Sequence, residues 1–147
     1  MTTVKQLLDY KGPQVFSIHP DATVYDAVKK MADKNVGSLV VIADDKLLGI
    51  ITERHYARNI VLAGRASSAT PVRAIMETNV VYATPEQSVE ECMAVMTDKK
   101  IRHLPVIQDG SLQNGRLIGI ISIGDLVQAI ISHQKFTIEQ LELYIHH

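Results

Sequence analysis

Few folds suit a chain that says the same thing twice, and this one does. Residues 15–45, VFSIHPDATVYDAVKKMADKNVGSLVVIADD, return at 80–110 as VVYATPEQSVEECMAVMTDKKIRHLPVIQDG. LLGIITERHYARNIV from Leu47 then returns as LIGIISIGDLVQAII from Leu117. About a third of the aligned positions are identical and most others keep their polarity, at a period of about 65 residues. A unit of that size is a supersecondary element, too small to cover both faces of its own sheet. Two such units packed about a pseudo-twofold axis form one core, and small ligands favour concave sites at junctions of this kind. The repeat therefore implies a binding module before any single residue does.

Composition narrows the class. At 147 residues the chain is one compact domain or two very small fused ones. A hydrophobic content of 46% with 21% charged residues belongs to a soluble globular protein. The formal charge of -1, with Lys and Arg scattered, leaves no footprint for nucleic acid. The N-terminus MTTVKQLLDYKG lacks the apolar core of a signal peptide, and no apolar run reaches transmembrane length. A cytoplasmic protein with neither nucleic-acid nor membrane partners is expected. Cys92 is the only cysteine, which excludes an intramolecular disulfide framework. The terminal His146 and His147 fit a native end and a tag remnant equally.

Periodicity sets out the elements. Val24, Ala27, Val28 and Met31 recur at helical spacing, and Val89, Cys92, Met93 and Met96 copy them. Thr23 and Ser88 are N-cap candidates, with Asp26 and Glu91 placed to return a carboxylate to the cap backbone. Two short apolar runs follow in each copy: Leu39–Ile42 and Leu47–Ile51, then Leu104–Ile107 and Leu117–Ile121. Bounded by Asp and Gly, they predict buried strands joined as hairpins. The second hairpin is longer, and its SLQNG insertion suits an exposed loop. A second helix is predicted through Tyr56, Ile60 and Val61, and again through Leu126, Val127, Ile130 and Ile131. GRASSATP reads as a linker, and VRAIM behind it repeats the lead-in VKQLL. The boundaries are then repeat 1 at 4–64, a linker at 65–71, repeat 2 at 72–132 and an unrepeated tail at 133–147. Phe136, Ile138, Leu141, Tyr144 and Ile145 give that tail an apolar face, with Glu139, Gln140 and Glu142 opposite. Such a face needs cover from the module or from a second chain.

Each copy reads as strand, helix, strand, strand and helix, an α/β (α+β) unit. The order of elements, Thr84-Pro85 with its counterpart His19-Pro20, the RHLPVI run (Arg102–Ile107) and GIISIGDL (Gly119–Leu126) together closely resemble a tandem pair of CBS domains, or Bateman module. The resemblance covers Val4 to Ser132. It implies a pseudo-symmetric module with two clefts that take adenosine compounds such as AMP, ADP, ATP or S-adenosylmethionine, sometimes a dinucleotide, and frequent pairing of two modules.

The residues suit that ligand class. An adenosine nucleotide needs an apolar slot, a carboxylate for the ribose diol, and cations or backbone donors for phosphate. The turn Ser122-Ile123-Gly124-Asp125 lies between a strand end and a helix start, where N–H groups and the helix dipole favour an anion. Asp125 can accept both ribose hydroxyls, or serve simply as a helix N-terminal carboxylate. The resemblance implies crosswise lining, so this cleft would be walled by His19, Val24, Val36, Gly37 and Ser38. The second cleft would use Thr52, Glu53, Arg54 and His55 with Val80, Val81, Arg102 and His103. Arg54, Arg58, Arg102 and His103 are the phosphate candidates, or else ordinary exposed cations. His55 stands where the second copy has Asp125, so unequal clefts are expected.

Neither metal nor catalytic cofactor is indicated. The histidines show no HExxH or Cys/His ligand spacing, and there is neither a GxGxxG nor a P-loop. Cys92 sits on an apolar helix face and reads as core, as do Met31, Met93 and Met96. No nucleophile, base and orienter come together in the sequence. The leading expectation is a non-catalytic adenine-nucleotide sensor acting on an unknown effector protein as a homodimer. The alternatives are an NAD(H) sensor with the dinucleotide spanning both clefts, a ligand-free oligomerisation scaffold, and a small nucleotide-acting enzyme.

Overall fold

The structure, a computed structural model, describes residues 2–145. In chain order the elements are α1 (Val4–Lys11), β1 (Ser17–Ile18), α2 (Val24–Lys34), β2 (Ser38–Ala43), β3 (Lys46–Thr52) and α3 (Glu53–Tyr56). A π-helical turn (Ala57–Val61) and a 3-10 turn (Val72–Ala74) follow, then α4 (Val89–Lys99), β4 (His103–Gln108), β5 (Arg116–Ser122) and α5 (Ile123–Ile145). The mixed α/β architecture expected from the repeat is present. The terminal histidine pair lies outside the described residues.

Two compact units divide the chain, and they do not coincide with the sequence repeats. One gathers residues up to Gln14, Tyr82–Gln108 and those from Leu117 onward; the other gathers Val15–Val81 and Asp109–Arg116. Each lead-in segment therefore folds with the opposite copy. Backbone bonds show why. Val4 N–H donates to the Gln87 carbonyl at 2.8 Å and Val89 N–H to Thr2 at 2.9 Å. In the other unit Val72 N–H donates to Ala22 at 2.8 Å and Val24 N–H to Thr70 at 2.9 Å. Arg73 of this second lead-in also ion-pairs with Asp21. The supposed linker is tied into this pattern, since Tyr25 N–H donates to the Ser67 carbonyl.

In the unit built on Val15–Val81, β1 pairs parallel to β2 and β2 pairs antiparallel to β3. The β2–β3 hairpin turns through Asp44 and Asp45, both at positive φ (51° and 60°). Two successive left-handed residues match the twist of the flanking strands, and Asp tolerates that region. Val24, Ala27 and Met31 from α2 meet Leu39, Val41 and Ile51 from the sheet, with Ile60, Val72 and Ile75 closing the core. Burying side chains such as Met31, Leu39 and Ile51 contributes about 1.5–3 kcal/mol each. In the other unit β4 pairs with β5, and a single parallel bridge between Ala83 and Val106 stands in for the first strand. Val89, Cys92 and Met96 of α4 and Leu126 of α5 are buried there.

Several sequence expectations need correction. The lead-in segments are helical: Thr3 and Gln6 form a reciprocal capping box that starts α1. For α2 and α4 only half the expected box forms. The Thr23 and Ser88 hydroxyls accept from Asp26 and Glu91 N–H at 3.1 and 3.0 Å, and no carboxylate returns. Val61, Val127 and Ile131 are exposed, so the second helices bury a narrower stripe than predicted. The SLQNG segment is partly buried and internally bonded, with Ser111 N–H donating to Asn114 Oδ1 at 2.8 Å. Finally, the tail is no separate element, because α5 runs unbroken for 23 residues.

Candidate ligand site

The same local chemistry builds both strand-to-helix turns. Ser122 closes β5, and its hydroxyl accepts from Asp125 N–H at 3.2 Å while Asp125 Oδ2 accepts from Ser122 N–H at 2.8 Å. Thr52 closes β3 in the same way. Its hydroxyl accepts from His55 N–H at 3.3 Å, and His55 Nδ1 accepts from Thr52 N–H at 3.1 Å. Both are reciprocal capping boxes, which need only an acceptor at the third helical position. Asp and neutral His each supply one. That is why the duplication tolerates the exchange.

The Asp125 turn carries a further cation. Lys11 Nζ, at the end of α1, lies 2.7 Å from Asp125 Oδ2 and 2.7 Å from the Ile120 carbonyl. The two side chains are 31% and 24% exposed, so the pair is partly shielded yet reachable. Sequence reasoning missed Lys11; the duplicated lead-in was the available signal. Leu8 lies one turn earlier on α1 and packs against Gly119 of β5, where an added Cβ would fall 2.7 Å from Leu8 Cδ2. At Gly124 an added Cβ would meet only Ser122 Oγ, at 3.6 Å, so the surface beside Asp125 is open. Ile123 N–H donates to the Arg102 carbonyl at 2.9 Å, which sets Arg102, and His103 after it, beside this turn.

The His55 turn is built with opposite charge. Glu77, from the other lead-in, exchanges both backbone bonds with Ile50, at 2.9 and 3.0 Å. Burial lowers the His55 pKa below its usual value; Glu77 raises it, and Arg54 and Arg58 lower it further. The ring is therefore held neutral, consistent with Nδ1 accepting from Thr52. Arg58 lies on the π-helical turn, a local distortion frequently found at functional sites. Thus a lead-in cation serves Asp125 in one unit, and a lead-in anion neighbours His55 in the other.

The remaining predicted residues divide between packing and surface. Glu53 N–H donates to the Gly37 carbonyl at 3.2 Å and Ser38 pairs with Thr52, so Val36, Gly37 and Ser38 adjoin the His55 turn within their own unit. Val24 is fully buried in the core, and Ser38 and Val80 are nearly so. Val36, Gly37 and Val81 are half-buried. His19 is exposed, and its Nδ1 accepts from Asp21 N–H at 3.0 Å. Cys92 is buried, its thiol pushed up to about 11 by burial and by Glu91. Among the described residues no three His, Cys, Asp or Glu gather as a metal site, and no helix is long and apolar enough to cross a membrane.

Duplicated strand–helix–strand–strand–helix units with capped turns at matching positions define a tandem CBS pair. The chain belongs to the CBS-domain family, whose model matches residues 5–62 and 72–132. It is 41% identical to the mitochondrial CBS domain-containing protein CBSX3 of Arabidopsis thaliana, over 98% of this chain and 72% of that protein. To the CBS domain-containing protein YhcV of Bacillus subtilis it is 31% identical, over 92% of this chain and 90% of that one. A solved CBS-domain structure from Burkholderia ambifaria superposes with a TM-score of 0.83 at 47% identity, covering 90% of this chain and 96% of the other. The chain thus stands among regulatory, signal-transducing modules.

Proposed function

We propose that this tandem CBS pair is a non-catalytic sensor of adenine nucleotides, with Asp125 receiving the ribose diol. The carrying observation is the Ser122–Asp125 turn. Its carboxylate is fixed by the Ser122 N–H and Lys11, both bonds end on Oδ2, and the surface at Gly124 is open. Oδ1 remains as acceptor for a ligand hydroxyl. The start of α5 adds the dipole and N–H groups that favour an anion. Arg102, beside this turn, is its phosphate partner in this reading, and Arg54 and Arg58 are phosphate candidates for the separate His55 turn of the other unit. A ligand with different affinity for two states of the module shifts their balance, and an effector protein reads the shift.

Calorimetry and thermal shift with AMP, ATP, adenosine and NADH, followed by product analysis, test the proposal. Binding of AMP or ATP, with ligand recovered intact, is the expected result. A bound ligand raises apparent stability by mass action. Turnover would make the protein an enzyme, and no binding by any ligand would make it a scaffold. The inequality of the two turns favours one second reading, an NAD(H) sensor. A ligand with one adenosine half and one different half suits a single carboxylate turn, and tighter binding of NADH than of AMP would select it.

A further inference from the structure

α5 continues for about three and a half turns beyond Ser132, the last residue matched to the family. Every residue from Ile131 to Ile145 is exposed. At 100° per residue, Ile131, Ile138, Leu141 and Ile145 fall within an arc of about 80°. They are 52–74% exposed and share the arc with one polar residue, Gln134, a largely apolar stripe that water does not favour. Phe136 was expected on this face; it lies two residues from Ile138 and so on the far side of the helix. We propose that the stripe is covered by the same helix of a second copy, running antiparallel, with Lys135 opposite the partner subunit's Glu142.

Charge and length select that arrangement together. Lys135 and Glu142 are seven residues apart and flank the stripe on one side, about 20° from each other. About a twofold axis across antiparallel helices, each flank faces the same flank of its copy. Lys135 then meets the partner's Glu142 twice, once on each side of the axis. This register puts the axis between residues 138 and 139. It lays residues 132–145 against their copies over about 20 Å, the whole of the projecting tail. A parallel pair would set Lys135 and Glu142 against the flank of His133, Thr137, Gln140 and Tyr144, which offers no carboxylate. The arrangement does not depend on nucleotide binding.

Two experiments on the full chain test it. Sedimentation should show a dimer that Lys135→Glu and Glu142→Lys each weaken roughly tenfold or more, since each sets like charges together twice; the double swap should return to within about threefold of wild type. Under mild oxidation Ile138→Cys, beside the axis, should crosslink, and Ile145→Cys, far from it, should not. A monomeric wild type, a double swap that stays weak, or crosslinking at both positions or at neither would each overturn the proposal. Cys92 is buried and leaves the assay clean.

Discussion

Lys11 Nζ lies 2.7 Å from Asp125 Oδ2 across 114 residues of sequence, because each lead-in segment folds with the opposite copy. The lysine neutralises the carboxylate proposed to hold ribose. Removing it leaves a bare negative charge beside an anionic ligand. Lys11→Met is expected to weaken AMP several-fold and adenosine less, with the difference shrinking as salt rises. The partly exposed pair contributes at most about 1 kcal/mol to folding, so the unfolding midpoint should move little. Equal loss for AMP and adenosine, measured by calorimetry at two salt concentrations, would contradict the electrostatic role.

The two turns should be functionally unequal. Hydrogen bonds to a charged acceptor contribute about 1.5–3 kcal/mol in a dry site, so Asp125→Ala should cost roughly tenfold to a hundredfold in adenosine affinity. Asp125→Asn keeps an acceptor for the capping box while removing the charge, which separates binding from folding. His55→Ala should change adenosine affinity far less. Arg54→Ala should hurt AMP more than adenosine. Identical losses from the Asp125 and His55 variants would remove the asymmetry.

His55 makes stability depend on pH with a definite sign. Its pKa is lowered in the folded chain, chiefly by burial, so the unfolded chain binds the proton more readily. The neutral form therefore stabilises the fold above the ordinary histidine value near 6.5, and that contribution is lost as pH falls below it. Protonation also removes the Nδ1 acceptor that caps Thr52. Urea midpoints between pH 7.5 and 5.5 should fall in wild type and fall less in His55→Gln. Parallel slopes would assign the pH dependence to other groups.

Most elements were legible because the chain states them twice. Thr23 and Ser88 cap the helices as their composition predicts, and the Asp44-Asp45 turn joins its strands where the acidic pair marks it. The exchange of lead-ins was not legible, since periodicity reports which face of a segment is apolar and is silent on which copy it meets. For the same reason Lys11 and Glu77, the two charges facing the capped turns, escaped sequence reasoning. Val24, at the start of the apolar stripe of α2, is buried in the core, as its helical spacing with Ala27 and Met31 predicts.

The buried Cys92 should be inert in the folded chain. With its pKa raised to about 11, only about one thiol in a thousand is ionised at pH 8, and the thiolate is the reactive form. A thiol reagent should label native protein very slowly and urea-unfolded protein within the mixing time. Rapid native labelling at a rate independent of denaturant would show the α4 face to be open.

Two duplicated glycines should respond differently to the same methyl group. Each sits on the second strand of its hairpin where a lead-in crosses. A Cβ at Gly119 would fall 2.7 Å from Leu8 Cδ2, the far end of a side chain that can rotate. At Gly49 it would fall 2.6 Å from the Glu77 carbonyl oxygen, which is backbone and accepts from Ile50 N–H. Relief there requires the lead-in to shift and the Ile50–Glu77 bridge to open. Overpacking costs about 1–3 kcal/mol, so Gly119→Ala belongs near the lower end of that range and Gly49→Ala near the upper. Because Glu77 is one of the groups that set the His55 pKa, Gly49→Ala should also change the histidine titration followed by NMR, which Gly119→Ala should leave alone. Equal destabilisation with an unmoved His55 titration would mean that the lead-in yields as easily as a leucine methyl.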